Sequence, residues 1–318
     1  MTQGDAAPRP GGIVCPLVTP LTPGGALDEA VLRDLIDALV PDLDGLFVLG
    51  STGELAWLPD EVALRVVQVA VDQVAGRIPV YVGVGDTSLV RTLDRAARLG
   101  EVEPAFLVVA TPFYYPVESE ARLVEHYVRV AERAPAPIVL YNIPQHTHCP
   151  LTPAVVRTLT GHPRIAGIKD SAGDWTTFDA FLALRSDDFR VMQGRERLAA
   201  ISLWSGADGV ISALSNLAPR LLQALAGSIR DERRRSESLA LQATVGRLAE
   251  VFEQGHWLAG AKSAMQAAGW NVGEPSPGIE PYAAAQRQVV EGIVRDPDLA
   301  RWITTAPNRT RRRRGETR

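Results

Sequence analysis

A lysine, a tyrosine and a pair of hydroxyl residues flanked by glycines are the groups in this chain best suited to chemistry. The stretch Ile165-Ala166-Gly167-Ile168-Lys169-Asp170-Ser171 reads as a buried strand that ends in a lysine and runs into a helix start. Burial strips water from an ammonium and favours the free amine, and a free amine attacks carbonyl carbon. The same lysine could instead snorkel to solvent or pair with an acid. Ser171 and Asp174 are both of a type that caps the following helix. In Gly50-Ser51-Thr52-Gly53-Glu54, the glycines permit close backbone approach, and two hydroxyls beside turn N–H groups suit a small carboxylate. A plain hydroxyl-rich turn uses the same residue types. Tyr141 ends another apolar run, where a phenol could pass a proton to and from a carbinolamine or an alkoxide. Its alternative role is a core aromatic with a satisfied hydroxyl.

These residues need elements to hold them. Short, continuously apolar runs recur at 12–16, 45–50, 79–84, 105–110, 137–141, 165–169, 189–193 and 209–212. Runs without polar alternation suit parallel strands covered on both faces. Helical periodicity fills the gaps at 28–39, 59–74, 89–99, 118–133, 152–159, 177–184 and 197–204. Eight strand–helix units predict a (β/α)8 TIM barrel of the α/β class. A doubly wound sheet would carry a glycine-rich phosphate turn after its first strand, and Cys15-Pro16-Leu17-Val18-Thr19 is not one. Helical patterns at 230–253, 262–268 and 282–294, with a Gly- and Pro-rich linker at 270–281, predict an appended C-terminal helical region. The expected layout is a disordered tail (1–11), the barrel (12–228), packed helices (229–304) and a basic disordered tail (305–318) holding Arg309 and Arg311 to Arg314.

Composition narrows the class. The chain has 318 residues, 46% hydrophobic and 22% charged, with a net charge of −4, which gives no case for nucleic acid. Two cysteines, Cys15 and Cys149, are too few for a disulfide framework and read as structural thiols. The N-terminus lacks the apolar centre of a signal peptide, and no apolar run is long enough to cross a bilayer. A cytoplasmic enzyme or binding protein is the expectation. In a barrel the chemistry sits at the C-terminal strand ends, which collects Ser51 to Glu54, Tyr114, Tyr141, His146, Lys169, Gly194 to Glu196 and Ser212 at one mouth.

Together, Gly50-Ser51-Thr52-Gly53-Glu54, Tyr141-Asn142-Ile143-Pro144 and Gly167-Ile168-Lys169-Asp170 resemble the motifs of the dihydrodipicolinate synthase / N-acetylneuraminate lyase family. Thr111-Pro112-Phe113-Tyr114 and Gly209-Val210-Ile211-Ser212 match further positions, so the likeness covers nearly the whole chain. The resemblance implies a class I aldolase or lyase that needs no metal or cofactor. Lys169 would form a Schiff base with pyruvate or another 2-keto acid, and Ser51 and Thr52 would hold its carboxylate. Tyr141 would be the general acid/base, with Ser51 and Tyr114 as a proton relay. Gly53, His146, Gly194, Glu196 and Ile211 complete the expected substrate-binding set. The residue at the Tyr114 position often comes from a neighbouring subunit, which implies a dimer or a tetramer built from dimers. The second substrate would be an aldehyde or a sugar-derived compound.

Two departures bear on substrate. His146 stands where the lysine-pathway synthases of the family carry an arginine for the second substrate's carboxylate, which argues against a standard dihydrodipicolinate synthase. Gly194-Arg195-Glu196-Arg197 stands where the sialic-acid lyases carry acidic residues, and only Glu196 resembles that pattern. Arg195 either points to solvent, the usual place for arginine, or inward, where it would meet an anionic or polar second half of the substrate. The main reading is an aldolase or lyase. The alternatives are a sugar-acid dehydratase working through the same imine, 4-hydroxy-tetrahydrodipicolinate synthase itself, or a barrel that binds a metabolite without catalysis.

Overall fold

The computed structural model describes residues 8–115, 117 and 119–307. The first residues of the expected N-terminal tail and the arginine run of the C-terminal tail lie outside them. Eight strands pair in parallel and close into a barrel in chain order. They are β1 (Gly12–Pro16), β2 (Gly45–Val48), β3 (Val80–Gly83), β4 (Phe106–Ala110), β5 (Ile138–Asn142), β6 (Ile165–Asp170), β7 (Arg190–Gln193) and β8 (Gly209–Ile211). Each predicted apolar run is one of these strands, with its ends shifted by no more than two residues.

The lack of alternation follows from burial on both sides. One apolar cluster, with Val14, Phe47, Tyr81, Phe106, Val139, Tyr141 and Met192, fills the barrel interior. A larger cluster lies between the strands and the surrounding helices. Period-two geometry therefore sends Ile168 to the outer layer and Lys169 over the interior rings of Phe47 and Tyr141. Register sets Tyr141 beside Lys169 and Lys169 beside Met192 on adjacent strands. Helix Asp60–Val74 shows the local logic of the outer ring. Asp60 and Glu61 sit in its first turn, Val66, Val67, Val69 and Ala70 are buried, and Ala75 ends it in the left-handed conformation.

Three expectations change. The pattern at 230–253 is not one helix. Helix Pro219–Arg230, which sequence periodicity did not reveal, stops where Asp231 turns extended, and its side chain accepts from the Arg233 N–H. A short turn then leads into helix Arg235–Ala249, so the expected barrel boundary at 228 falls inside a helix. The helix expected at 262–268 begins earlier, at Trp257, because the His256 ring accepts from the Leu258 N–H at 3.3 Å and caps it. At the Lys169 strand, Asp174 caps helix Trp175–Leu182 by accepting from Thr176 and Thr177, and Ser171 does not. Beyond Trp257–Ala267, the linker crosses back to the barrel. The Val272 carbonyl accepts from the Leu21 N–H at 3.1 Å.

Candidate active site

The mouth is built from loops that leave little conformational choice. After β2 the chain turns through Leu49 at φ 59° and reaches Glu54 at φ 64°. Both are non-glycine residues in the left-handed region, which costs about 1–3 kcal/mol each and needs outside support. Gly83 makes room, since a Cβ there would lie 1.9 Å from the Leu49 carbonyl oxygen. The support comes from the C-terminal region. Lys262 places its Nζ 2.6 Å from Glu54 Oε1, with the two side chains 1% and 0% exposed. Glu54 Oε2 accepts from the Ser276 N–H at 2.6 Å, and Lys262 donates to the Glu274 carbonyl at 2.9 Å. Burial pulls the Lys262 pKa down while the Glu54 carboxylate opposes the shift.

This loop presents Ser51 and Thr52 to a cavity of about 370 Å³ that Lys169 also lines. Lys169 is 4% exposed, and its Nζ lies 4.2 Å from the Tyr141 ring centroid and 5.1 Å from that of Phe47. Among the described residues it has no ion-pair partner, unlike Lys262. The oxygens of Ser51 and Tyr141 are 3.4 Å apart. Amine, phenol, Ser51 and Thr52 therefore border one open-mouthed space, with His146, Gly194, Glu196 and Ile211 on its walls. Ser51, Tyr141, Ile143, His146 and Trp257 also wall a second cavity of about 310 Å³, lined by Phe47, Trp57 and Phe113.

Neighbouring polar groups fix the strand ends. Asn142 donates to Asp170 Oδ1 at 2.6 Å and accepts from the Leu151 N–H at 2.9 Å. Burial raises the Asp170 carboxyl to a pKa of about 6 against the bond from Asn142, and its Oδ2 has no partner among the described residues. Glu196 accepts from Ser212 at 3.0 Å, joining the ends of β7 and β8.

Two expected site residues do not reach the cavity within one chain. Gly53 is buried behind the loop, where its carbonyl accepts from the Thr19 hydroxyl at 2.7 Å. Tyr114 is 77% exposed, at φ 78°, with its ring edge-on to Tyr115.

The Dihydrodipicolinate synthetase family model matches residues 9–296. A 4-hydroxy-tetrahydrodipicolinate synthase of Xanthomonas axonopodis pv. citri is 39% identical over 224 residues, 70% of this chain and 74% of that one. A DapA-like lyase of Halobacterium salinarum is 34% identical over 279 residues, 84% of this chain and 90% of that one. Among solved structures, the prophage protein YagE of E. coli K12, of the dihydrodipicolinic acid synthase family and in complex with pyruvate, superposes with a TM-score of 0.86. It is 29% identical, over 91% of this chain and 99% of its own. The chain belongs to the dihydrodipicolinate synthetase family. As a member it is a lyase of the aldolase type.

Within this family fold, several working parts carry no short sequence signal. Trp257 closes the cavity from a C-terminal helix, with its ring centroid 6.4 Å from that of His146 and 6.0 Å from that of His256. Burial lowers the His146 pKa, and the nearby His256, Arg195 and His148 lower it further, so the imidazole is held neutral more firmly than a free histidine. The Glu54–Lys262 pair spans residues far apart in sequence, and neither partner announces the other. The chain contains only two lysines, Lys169 and Lys262, against 31 arginines. Both are buried, Lys262 against Glu54 and Lys169 over the Tyr141 ring.

Proposed function

We propose that the protein is a class I aldolase or lyase that makes or breaks a C–C bond next to pyruvate or another 2-keto acid. The observation that carries this reading is Lys169, buried and without an ion-pair partner among the described residues, facing one cavity with the Tyr141 phenol, Ser51 and Thr52. The Lys169 amine attacks the keto carbon to give a carbinolamine. Tyr141 protonates the departing hydroxyl, water leaves and an iminium remains. Electrons from the Cα–Cβ bond flow into the iminium to give an enamine as the partner leaves as an aldehyde, whose hydroxyl proton passes to Tyr141; protonation of the enamine at Cα and hydrolysis of the iminium then free the keto acid and the Lys169 amine. Ser51, within reach of the Tyr141 oxygen, relays that proton. Ser51 and Thr52 hold the keto-acid carboxylate, and Gly194, Ile211, Glu196 and His146 frame the rest. Gly53 acts through the shape of the turn.

Tyr114 completes the relay from a second copy of the chain. Its exposure and its left-handed backbone suit a residue held outward for a neighbour, and the assembly is a dimer or a tetramer built from dimers in the cytoplasm. Position 146 offers a neutral ring rather than a guanidinium, so the chain is not a standard dihydrodipicolinate synthase. The test is a panel of 2-keto acids and aldehydes with product analysis, run on wild type and Lys169→Ala. Free pyruvate plus an aldehyde, or their condensation product, supports the reading. A dehydrated keto acid without C–C cleavage assigns the dehydratase reaction instead. Turnover that survives in Lys169→Ala removes the imine from the mechanism.

A further inference from the structure

The charged side chains around the Lys169 cavity are mostly partnered within the protein. Arg197 pairs with Glu253 at 2.5 Å, and Glu196 accepts from Ser212. Arg195 lines the same cavity and forms no ion pair among the described residues. Its backbone N–H donates to Gln193 Oε1 at 2.8 Å, and its Nε donates to the Ser171 carbonyl at 2.9 Å. Gln145 donates to that same carbonyl at 3.0 Å, so one oxygen anchors both Arg195 and the turn carrying His146. The turn at Gly173 lies against the guanidinium, at a distance where a Cβ would make only ordinary contact, 3.5 Å from Arg195 Nε. The Nε edge of the fork is thus held by the protein. Its two Nη groups make no hydrogen bond or ion pair among the described residues, although the Asp170 carboxylate lies near enough to feel the charge.

We propose that Arg195 is a specificity-determining residue that binds a carboxylate at the end of the substrate remote from the keto acid. The inference rests on the reading of Lys169 as the imine-forming amine. Two convergent N–H donors match a carboxylate in both geometry and charge. With His146 neutral and Arg197 occupied by Glu253, Arg195 supplies the recognition from the end of β7 that position 146 lacks. The substrates it selects carry two carboxylates, one on the keto acid and one on the distal tail.

The experiment uses borohydride trapping on the full chain, titrated with pyruvate, 2-oxoadipate and 2-oxohexanoate. The last two differ in whether the tail ends in a carboxylate or a methyl group. Wild type is expected to half-saturate with 2-oxoadipate at a concentration at least about tenfold below that for 2-oxohexanoate, equivalent to about 1.4 kcal/mol. Arg195→Gln removes that ratio, Arg195→Lys keeps part of it, and Arg197→Gln leaves it in place. A wild-type ratio near one, or a ratio that survives Arg195→Gln, overturns the proposal while pyruvate trapping continues. Failure of pyruvate itself to give an adduct overturns the imine reading, and this proposal with it.

Discussion

Replacing Lys262 with methionine should destabilise the protein and loosen its keto-acid site together. The substitution keeps length and apolar volume but removes the cation 2.6 Å from Glu54, in a place where neither side chain reaches solvent. Breaking a buried pair by removing one partner costs about 3–5 kcal/mol, because the other charge stays buried and unpaired. Unfolding entropy of about 2.1 cal/mol/K per residue gives about 0.7 kcal/mol/K for this chain, so Tm should fall by about 4–7 °C. The functional arm follows from backbone strain. Leu49 and Glu54 hold left-handed conformations that the pair helps to impose. Relaxing them misplaces Ser51 and Thr52, and the pyruvate concentration that half-saturates borohydride trapping should rise about tenfold. The double variant Lys262→Met with Glu54→Gln removes the stranded charge and keeps an acceptor for the Ser276 N–H, so it should recover most of the lost Tm. Differential scanning calorimetry and the trapping titration measure the two arms. A Tm within about 1 °C of wild type, or a lowered Tm with unchanged half-saturation, would refute the reasoning.

Three other perturbations test separate parts. Tyr141→Phe removes the phenol but keeps the ring beneath Lys169, so kcat should drop about a hundredfold while Tm holds; full activity would take Tyr141 out of proton transfer. Asp170 has a folded pKa of about 6 against an ordinary 3.8, so the folded state binds its proton more tightly. Its contribution therefore favours folding below pH 3.8 and is lost as pH rises through 6, and Asp170→Asn should gain on wild type by about 3 kcal/mol between those limits; a pH-independent difference in denaturant titrations would contradict this. Gly83→Ala forces a Cβ to within 1.9 Å of the Leu49 carbonyl and should cost about 3 kcal/mol or more, with loss of pyruvate trapping; a stable, active variant would show that the turn after β2 is free to shift.

The barrel was legible because burial on both faces writes itself into each strand as an unbroken apolar run, and because the runs recur at a steady interval. Lys169, Tyr141, Ser51 and Thr52 were legible for a related reason: each sits at the end of such a run, and strand ends point to one mouth. Helix boundaries in the C-terminal region were not, since they depend on single capping contacts such as the Asp231 side chain on the Arg233 N–H. The Glu54–Lys262 pair and the Trp257 wall were hidden because they join segments that meet only after the linker folds back over the barrel. Sequence alone leaves Arg195 between solvent and cavity, and in the structure it stands at the rim: its side chain is exposed, borders the cavity and donates from Nε to the Ser171 carbonyl.

The proposed imine between Lys169 and a keto acid is directly measurable, because the chain has only two lysines. The protein is incubated with pyruvate, reduced with borohydride, weighed intact and mapped by peptide fragmentation. One reduced pyruvate adduct per chain is expected, located on Lys169, with Lys262 unmodified against Glu54. No adduct, or an adduct on Lys262 or the N-terminal amine alone, would contradict it.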